Sequence, residues 1–201
     1  MESFHPFFQF LHKFIDLTEL EFGEWIKPYL RIRHFKKKQV VSPSGEVEDY
    51  LNFIVKGLAR KYYPKNSEEI NTQISTEGHI IHSHESFHSR TPSEYVVEAI
   101  EPTTVISITY NDLEKVYAQN SKMERLGRLV ITFTMVIKDR RQMNMIKLSP
   151  RERFIDFVNK NPELLQRVPQ KYLASYLNIQ PETFSRFKHL LKGKSSEERV
   201  R

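Results

Sequence analysis

The stretch that decides the fold runs from Arg167 to Gly193, RVPQKYLASYLNIQPETFSRFKHLLKG. It reads as two short helices joined by a tight turn. Leu173, Ala174, Leu177, Ile179, Phe184 and Phe187 fall at the apolar spacing of two helices crossing steeply around a small shared core, and Ala174 is the small residue that lets them approach. Asn178 stands where the turn wants a left-handed backbone, which Asn tolerates best after Gly. Pro181 suits the first turn of the second helix, where its missing N–H costs nothing, and Gly193 is placed to close that helix. The outer face carries Gln180, Glu182, Thr183, Ser185, Arg186 and His189, which are hydrogen-bonding side chains and not a generic Lys/Glu solvent face. Arg186 has the fork that fits guanine O6 and N7, and Glu182 can accept from cytosine N4, so both are candidate base readers. Gln170, Lys171, Thr183, Ser185, Lys188 and His189 are candidates for contacts to the DNA backbone. A plain helical hairpin packed on a neighbour is the alternative, since such patterns also arise by chance.

Composition narrows the rest. A chain of 201 residues has room for two modest domains. It has no Cys, which excludes disulfides, thiolate metal sites and a cysteine-ligated iron–sulfur cluster. No stretch approaches the ~18–20 apolar residues of a membrane span. The start, MESFHPFFQF, lacks a basic region followed by an apolar core, so a cytoplasmic location with no membrane partner is expected. The net charge of +6 is uneven: Ser149 to Arg201 holds 11 Lys/Arg against 6 Asp/Glu (+5), and the preceding residues hold 20 against 19 (+1). The excess lies in the segment suspected of meeting phosphates.

Upstream, Phe4, Phe7, Phe8, Phe10, Leu11 and Phe14, with Ile15, Leu17, Trp25 and Ile26 following, predict one or two helices packed on the next domain and ending near Pro28. From Arg31 to Ile108 the pattern changes to short β-type runs, HFKKKQVV, YLNFIVKG, LARKYYP, INTQIS, HIIH, YVVEAIE and TVISIT, separated by Pro, Gly, Asn and Ser breakers. Regular spacing of this kind predicts a β-roll or barrel. A short helix over Asn111–Tyr117 starts with an Asn111-x-x-Glu114 cap, and one long helix is predicted from Ser121 to about Lys147, roughly 25 residues or about 38 Å. Its apolar stripe includes Leu126, Val130, Phe133 and Ile137, and a stripe running away from a compact roll needs a partner, which predicts a dimer helix. Ser149-Pro150-Arg151-Glu152 is a capping box that marks a domain boundary, after which Phe154, Ile155, Phe157 and Val158 form an inner helix face. Beyond Gly193 the charged KSSEERVR is expected to fray.

PETFSRFKHLL, preceded by VPQKYLASYLNI, resembles the helix-turn-helix of the Crp/Fnr transcription regulators in their short, Bacteroidetes-type form. The order of the β breakers also resembles that family's sensor domain, with Gly57 after a strand pair and Gly78 before the ligand cassette. The resemblance implies an α+β chain: residues 1–120 a cyclic-nucleotide-binding-like β-roll (a double-stranded β-helix or jelly roll) with N-terminal helices, 121–148 a dimerisation helix, and 149–201 a helix-turn-helix domain. It implies a homodimer on double-stranded DNA, with RNA polymerase a candidate further partner. Two-fold symmetry sets the recognition helices about 34 Å apart and makes the operator a pseudo-palindrome. In the family the residues corresponding to Glu182 and Arg186 read bases, but the arginine usual before the Glu is Pro181 here, so the operator preference should differ. The chain is too short for the β-wing that many members add.

The cassette departs from the family. Members that bind cAMP carry a Gly-Glu pair for the ribose and an Arg-Ser pair for the phosphate; here the places hold His82-Ser83 and Ser93-Glu94. A buried phosphodiester needs a guanidinium, and a carboxylate beside it repels, so cAMP binding is not expected and no cofactor is assigned. Arg90 is the one nearby arginine that could swing in. His79, His82, His84 and His88 cluster in the same stretch, as in a cupin-like metal protein. On a strand, however, His82 and His84 share a face that His79 does not, and no clear carboxylate joins them, so no metal site is assigned. No catalytic triad, Gly-rich phosphate loop or zinc-hydrolase spacing is present, and an enzyme is not expected. The alternatives are a cyclic-nucleotide-responsive regulator with a remodelled pocket, or the cupin-like metal-binding protein.

Overall fold

The computed structural model describes residues 3–197. At the N-terminus, α1 (His5–His12) starts with Pro6 in its first turn and buries Phe7, Phe10 and Leu11. A short helix α2 (Glu19–Glu21), closed by a Thr18/Glu21 capping box, continues through wide and tight turns to Tyr29. Two four-stranded antiparallel sheets follow and face each other as a jelly roll. One has the order β1 (Arg31–Phe35), β8 (Thr103–Thr109), β3 (Tyr50–Lys56), β6 (Ile80–Ile81). The other has β2 (Val40–Ser42), β7 (Val96–Ala99), β4 (Ala59–Lys65), β5 (Glu68–Ser75). Alternation along β3 sends Ile54 into the sandwich, with Phe35, Ile81, Val97 and Val105, and turns Phe53 outward beneath α1. There the Phe7 and Phe10 rings lie 5.1 and 5.2 Å from Phe53.

The expected run HFKKKQVV is two strands, because Lys38 takes a left-handed turn (φ 64°) between β1 and β2. Gly57 closes the β3–β4 turn at φ 97°, where an added Cβ would lie 2.5 Å from the Pro102 carbonyl oxygen. Only a residue without a side chain fits both the backbone angle and the space. The HIIH run stops being a strand after Ile81: residues His84–Ser89 form a helix, α3, whose C-cap Arg90 is left-handed.

Helix α4 spans Tyr110–Ala118 and is capped by Thr109, whose hydroxyl accepts from the Asp112 N–H, so the expected Asn111 cap is displaced by two residues. Helix α5 spans Ser121–Lys147, as its pattern predicted, and Asn120 caps it. Its two halves differ. Met123, Leu126 and Val130 are buried against α1, α4 and the outer face of the β8/β3 sheet, which corrects the assignment of Leu126 and Val130 to a dimer seam. Phe133, Met135, Val136 and Ile137 remain about half exposed, and farther along Met143 and Ile146 are exposed too, Ile146 the most.

The Ser149/Glu152 capping box starts α6 (Pro150–Lys160), which buries Phe154 and Phe157 but leaves Ile155 exposed, contrary to its expected inner place. Then come α7 (Leu164–Arg167), α8 (Gln170–Tyr176) and α9 (Pro181–Glu197). Leu173, Ala174, Leu177, Ile179 and Phe184 make the core of this bundle, with the Phe154 and Phe184 rings perpendicular at 5.0 Å. Asn178 has the expected left-handed conformation, φ 51°. Gly193 does not end α9; the helix runs through it to Glu197, so much of the stretch expected to fray is helical, and its last four residues lie outside the described ones.

The helical bundle rests on the roll. Leu58 and Ile100, from the β-roll, belong to the same apolar cluster as the helix-turn-helix core. The Ser175 hydroxyl accepts from the Asn71 N–H at 2.9 Å and donates to the Glu69 carbonyl. Arg60, fully buried, pairs with Glu69 (2.8 Å) and Glu98 (3.0 Å), and its guanidinium lies 3.7 Å from the Tyr172 ring centre. Arg167 bridges Glu77 and Glu101.

Candidate DNA-reading face and ligand basin

Two regions carry the functional residues named from sequence. The first is α9. Phe184 is buried at its inner side, and the i, i+4, i+7 positions Glu182, Arg186 and His189 are exposed on one outward face. Thr183, Ser185 and Lys188 are half-buried beside it, and Gln170 and Lys171 lie at the start of α8, Lys171 exposed. Glu182 falls in the first turn of the helix, where a carboxylate complements the dipole. The turn that aims α9 is held by Arg153 of α6, which donates to the carbonyls of Leu177 (2.9 Å), Asn178 (3.1 Å) and Leu148 (2.6 Å). Sequence reading missed Arg153, because its partners are set by the fold and not by spacing.

The second region is a basin of about 760 Å³ enclosed by the β4–β5 surface, α3, the middle of α5 and the helical bundle. Lys61, His84, Glu85, Lys138, Arg141 and Tyr176 are among its lining residues, three cations against one carboxylate. Burial brings the Lys61 ammonium down to about 8, with Lys138 and Arg141 adding to the effect, and its Nζ donates to the His82 carbonyl. Arg141 spans from α5 to α8, donating to the Tyr176 carbonyl at 2.9 Å and lying 4.4 Å from that ring's centre.

Behind the basin the cassette residues are ordered but do not converge on a common ligand. Ser93 is buried in its own turn, donating to the Tyr95 carbonyl and accepting from the Tyr95 N–H, and Glu94 is exposed. Arg90 does not swing inward: it donates to the Glu48 carbonyl (2.8 Å), pairs with Asp49 and lies 4.4 Å from the Tyr110 ring centre. The buried Glu48 carboxylate accepts from the N–H groups of Ser83 and Tyr50, and burial raises its pKa. The strand argument against the histidines fails at His84, which is helical. His82, His84 and His88 come together with one ligand atom of each within 4.8 Å of the others, whereas His79 is hydrogen-bonded to the Thr76 and Glu77 carbonyls. Burial holds the His82 imidazole well below its usual pKa. Burial, then Lys138, pushes His84 down to about 4, and the same two causes lower His88.

Residues 32–120 match the model of the cyclic nucleotide-binding domain. Solved structures extend the likeness past that domain. FixK2 from Bradyrhizobium japonicum aligns with a TM-score of 0.71 at 17% identity, over 83% of this chain and 86% of that one. The c-di-GMP responsive global regulator CLP of Xanthomonas campestris aligns at 0.67 and 12% identity, over 88% and 93%. The fold is that of the Crp/Fnr regulators. The catabolite activator protein of Thermus thermophilus shares it at a TM-score of 0.56 and 15% identity, covering 92% of this chain and 88% of that one. No curated protein sequence matches. Within this Crp/Fnr-type fold, no helix among the described residues is long and apolar enough to cross a membrane.

Proposed function

We propose that the protein is a dimeric, sequence-specific DNA-binding transcription regulator that acts in the cytoplasm by binding and not by catalysis. One observation carries the reading: Glu182, Arg186 and His189 stand exposed on a single face of α9, at the outer side of a helix-turn-helix whose core holds Leu173, Ala174, Leu177, Ile179 and Phe184. Glu182 and Arg186 read bases, and Gln170, Lys171, Thr183, Ser185, Lys188 and His189 hold phosphates. The basic excess after Ser149 supplies the long-range attraction. The second half of α5 supports pairing with a second copy, since Met135, Val136, Met143 and Ile146 are exposed apolar side chains on a helix that has left its own roll. RNA polymerase is then the partner through which binding would act on transcription.

An effector of this regulator binds in the basin, where Lys61, Lys138 and Arg141 suit an anion, but cAMP is not that effector. Arg90, the guanidinium nearest the cassette in sequence, is already committed to the Glu48 carbonyl and the Asp49 carboxylate, and Glu94 adds negative charge beside the cassette. Calorimetry with cAMP and cGMP should register no binding; micromolar affinity for either contradicts this part of the reading.

The test of DNA binding is selection from random duplex DNA with the full chain. Enrichment of a pseudo-palindrome whose half-sites are one helical turn apart is expected. A chain that enriches nothing and ignores duplex DNA at low salt would overturn the proposal.

A further inference from the structure

We propose that His82, His84 and His88 form a three-imidazole site for a divalent first-row transition-metal ion of the Zn²⁺ class. His84 and His88 are four residues apart on α3, which stacks them on one face one turn apart, and His82 enters from the chain just before the helix. The ring centres are 4.5 Å apart for His84 and His88, 5.4 Å for His82 and His84, and 6.2 Å for His82 and His88. One ligand nitrogen of each already lies within 4.8 Å of the other two. Tetrahedral binding with metal–nitrogen bonds of about 2.0–2.1 Å brings such nitrogens to about 3.3 Å, a closure within reach of small ring rotations.

A second observation points to a ligand. Nε2 of His82, a residue only 5% exposed, and Nδ1 of His84 are buried and have no hydrogen-bond partner. His82 and His88 do pack edge-on against Phe87, at 5.3 and 5.1 Å, but aromatic packing explains the rings and not the unpartnered nitrogens. A metal ion explains both.

The donor set fixes the class of ion. Three neutral imidazoles, with no thiolate in a chain that has no Cys, suit Zn²⁺, Co²⁺, Ni²⁺ or Cu²⁺ and not the oxygen-seeking Mg²⁺ or Ca²⁺. Lys61 of β4 and Lys138 of α5 act on the trio and Glu114 of α4 acts on His88, while Glu85 of α3 lines the basin with His84 and the buried Glu48 accepts from the Ser83 N–H. The two lysines weaken a bare dication and favour one whose open position carries an anion from the basin. Because Lys138 belongs to α5, occupancy would also act on the helix that leads to the DNA-binding bundle. That coupling rests on the function proposed above, whereas the metal site does not.

Untagged full-length protein, stripped with a chelator, should be titrated with Zn²⁺ by calorimetry and with Co²⁺ by visible absorption. A single equivalent should bind, and Co²⁺ should give the intense band of tetrahedral coordination. His84→Ala and His88→Ala should each lose about 100-fold or more in affinity, while His79→Ala binds as the parent does. If a variant fails to fold, imidazole ¹H–¹⁵N spectra of the unaltered protein provide the same test, since Zn²⁺ must move His82, His84 and His88 together. Equal affinity in His88→Ala, Co²⁺ that keeps its aqua-ion spectrum, or shifts confined to other histidines would each overturn the proposal. None of these readouts depends on DNA.

Discussion

Arg153 shows how one side chain sets the geometry of the turn before α9. It is nearly buried, and its guanidinium satisfies carbonyls at the end of α5 and at the turn before α9. The Leu177 carbonyl is buried, and leaving a buried acceptor unpaired costs ~1–3 kcal/mol. Arg153→Met keeps most of the packed stem and removes the donors. Its free energy of unfolding should fall by that amount and its denaturant midpoint with it, and an unchanged midpoint would show that the turn holds itself. The sequence offered half of this picture. Asn178 is legible as left-handed because few residue types tolerate that conformation, whereas Arg153 looks like any basic residue in the first turn of an amphipathic helix. The same contrast holds in the cassette. His84 and His88 could have been seen as an i, i+4 pair, but six helical residues are too few to establish a period, so the stretch reads as the strand that precedes it.

Long elements were the most legible. The extent of α5 follows from its apolar recurrence and from the lack of Gly or Pro between Arg128 and Leu148, and the Ser149/Glu152 box announces α6 in four letters. What periodicity does not give is the neighbour each face will meet. One stripe covers Leu126, Val130, Phe133 and Ile137, yet the first two turn into the chain's own core and the others do not. Gly127 marks where α5 crosses α4: an added Cβ would lie 2.3 Å from the Tyr117 ring. Gly127→Ala should therefore destabilise the protein by ~1–3 kcal/mol through overpacking, although Ala is the better helix former by about 1 kcal/mol. A stabilised variant in chemical denaturation would mean that the crossing is looser than described. Farther along, Val136→Asp should leave the fold intact and shift sedimentation from dimer to monomer. Unaltered sedimentation would remove the outer half of α5 from the proposed dimer seam.

Across the whole molecule, roll and bundle are joined by charge as well as by apolar contact. None of this was visible in the sequence, because Arg60 meets Tyr172, and Arg167 meets Glu77 and Glu101, far along the chain. Burial alone would raise the pKa of Glu77, but hydrogen bonds from Arg167 and Thr76 outweigh it and lower the carboxyl to about 2, against 4.5 unperturbed. A depressed carboxylate stabilises the fold fully above its unfolded pKa and loses that contribution as pH falls through the folded one. The stability gap between the parent and Glu77→Gln should thus be constant near neutral pH and shrink from about pH 4.5 toward about pH 2. Its size should be ~1 kcal/mol or less, because the pair is partly exposed. A gap that does not change with pH would assign the clamp to other groups.

The central claim is that the outward face of α9 reads DNA sequence, and Arg186 tests it most directly. Binding-site selection should be run side by side with the parent and with Arg186→Ala. The variant should keep the half-site spacing and lose base preference at one position per half-site, at a cost of ~1–3 kcal/mol in affinity. An identical motif from both proteins would contradict the account.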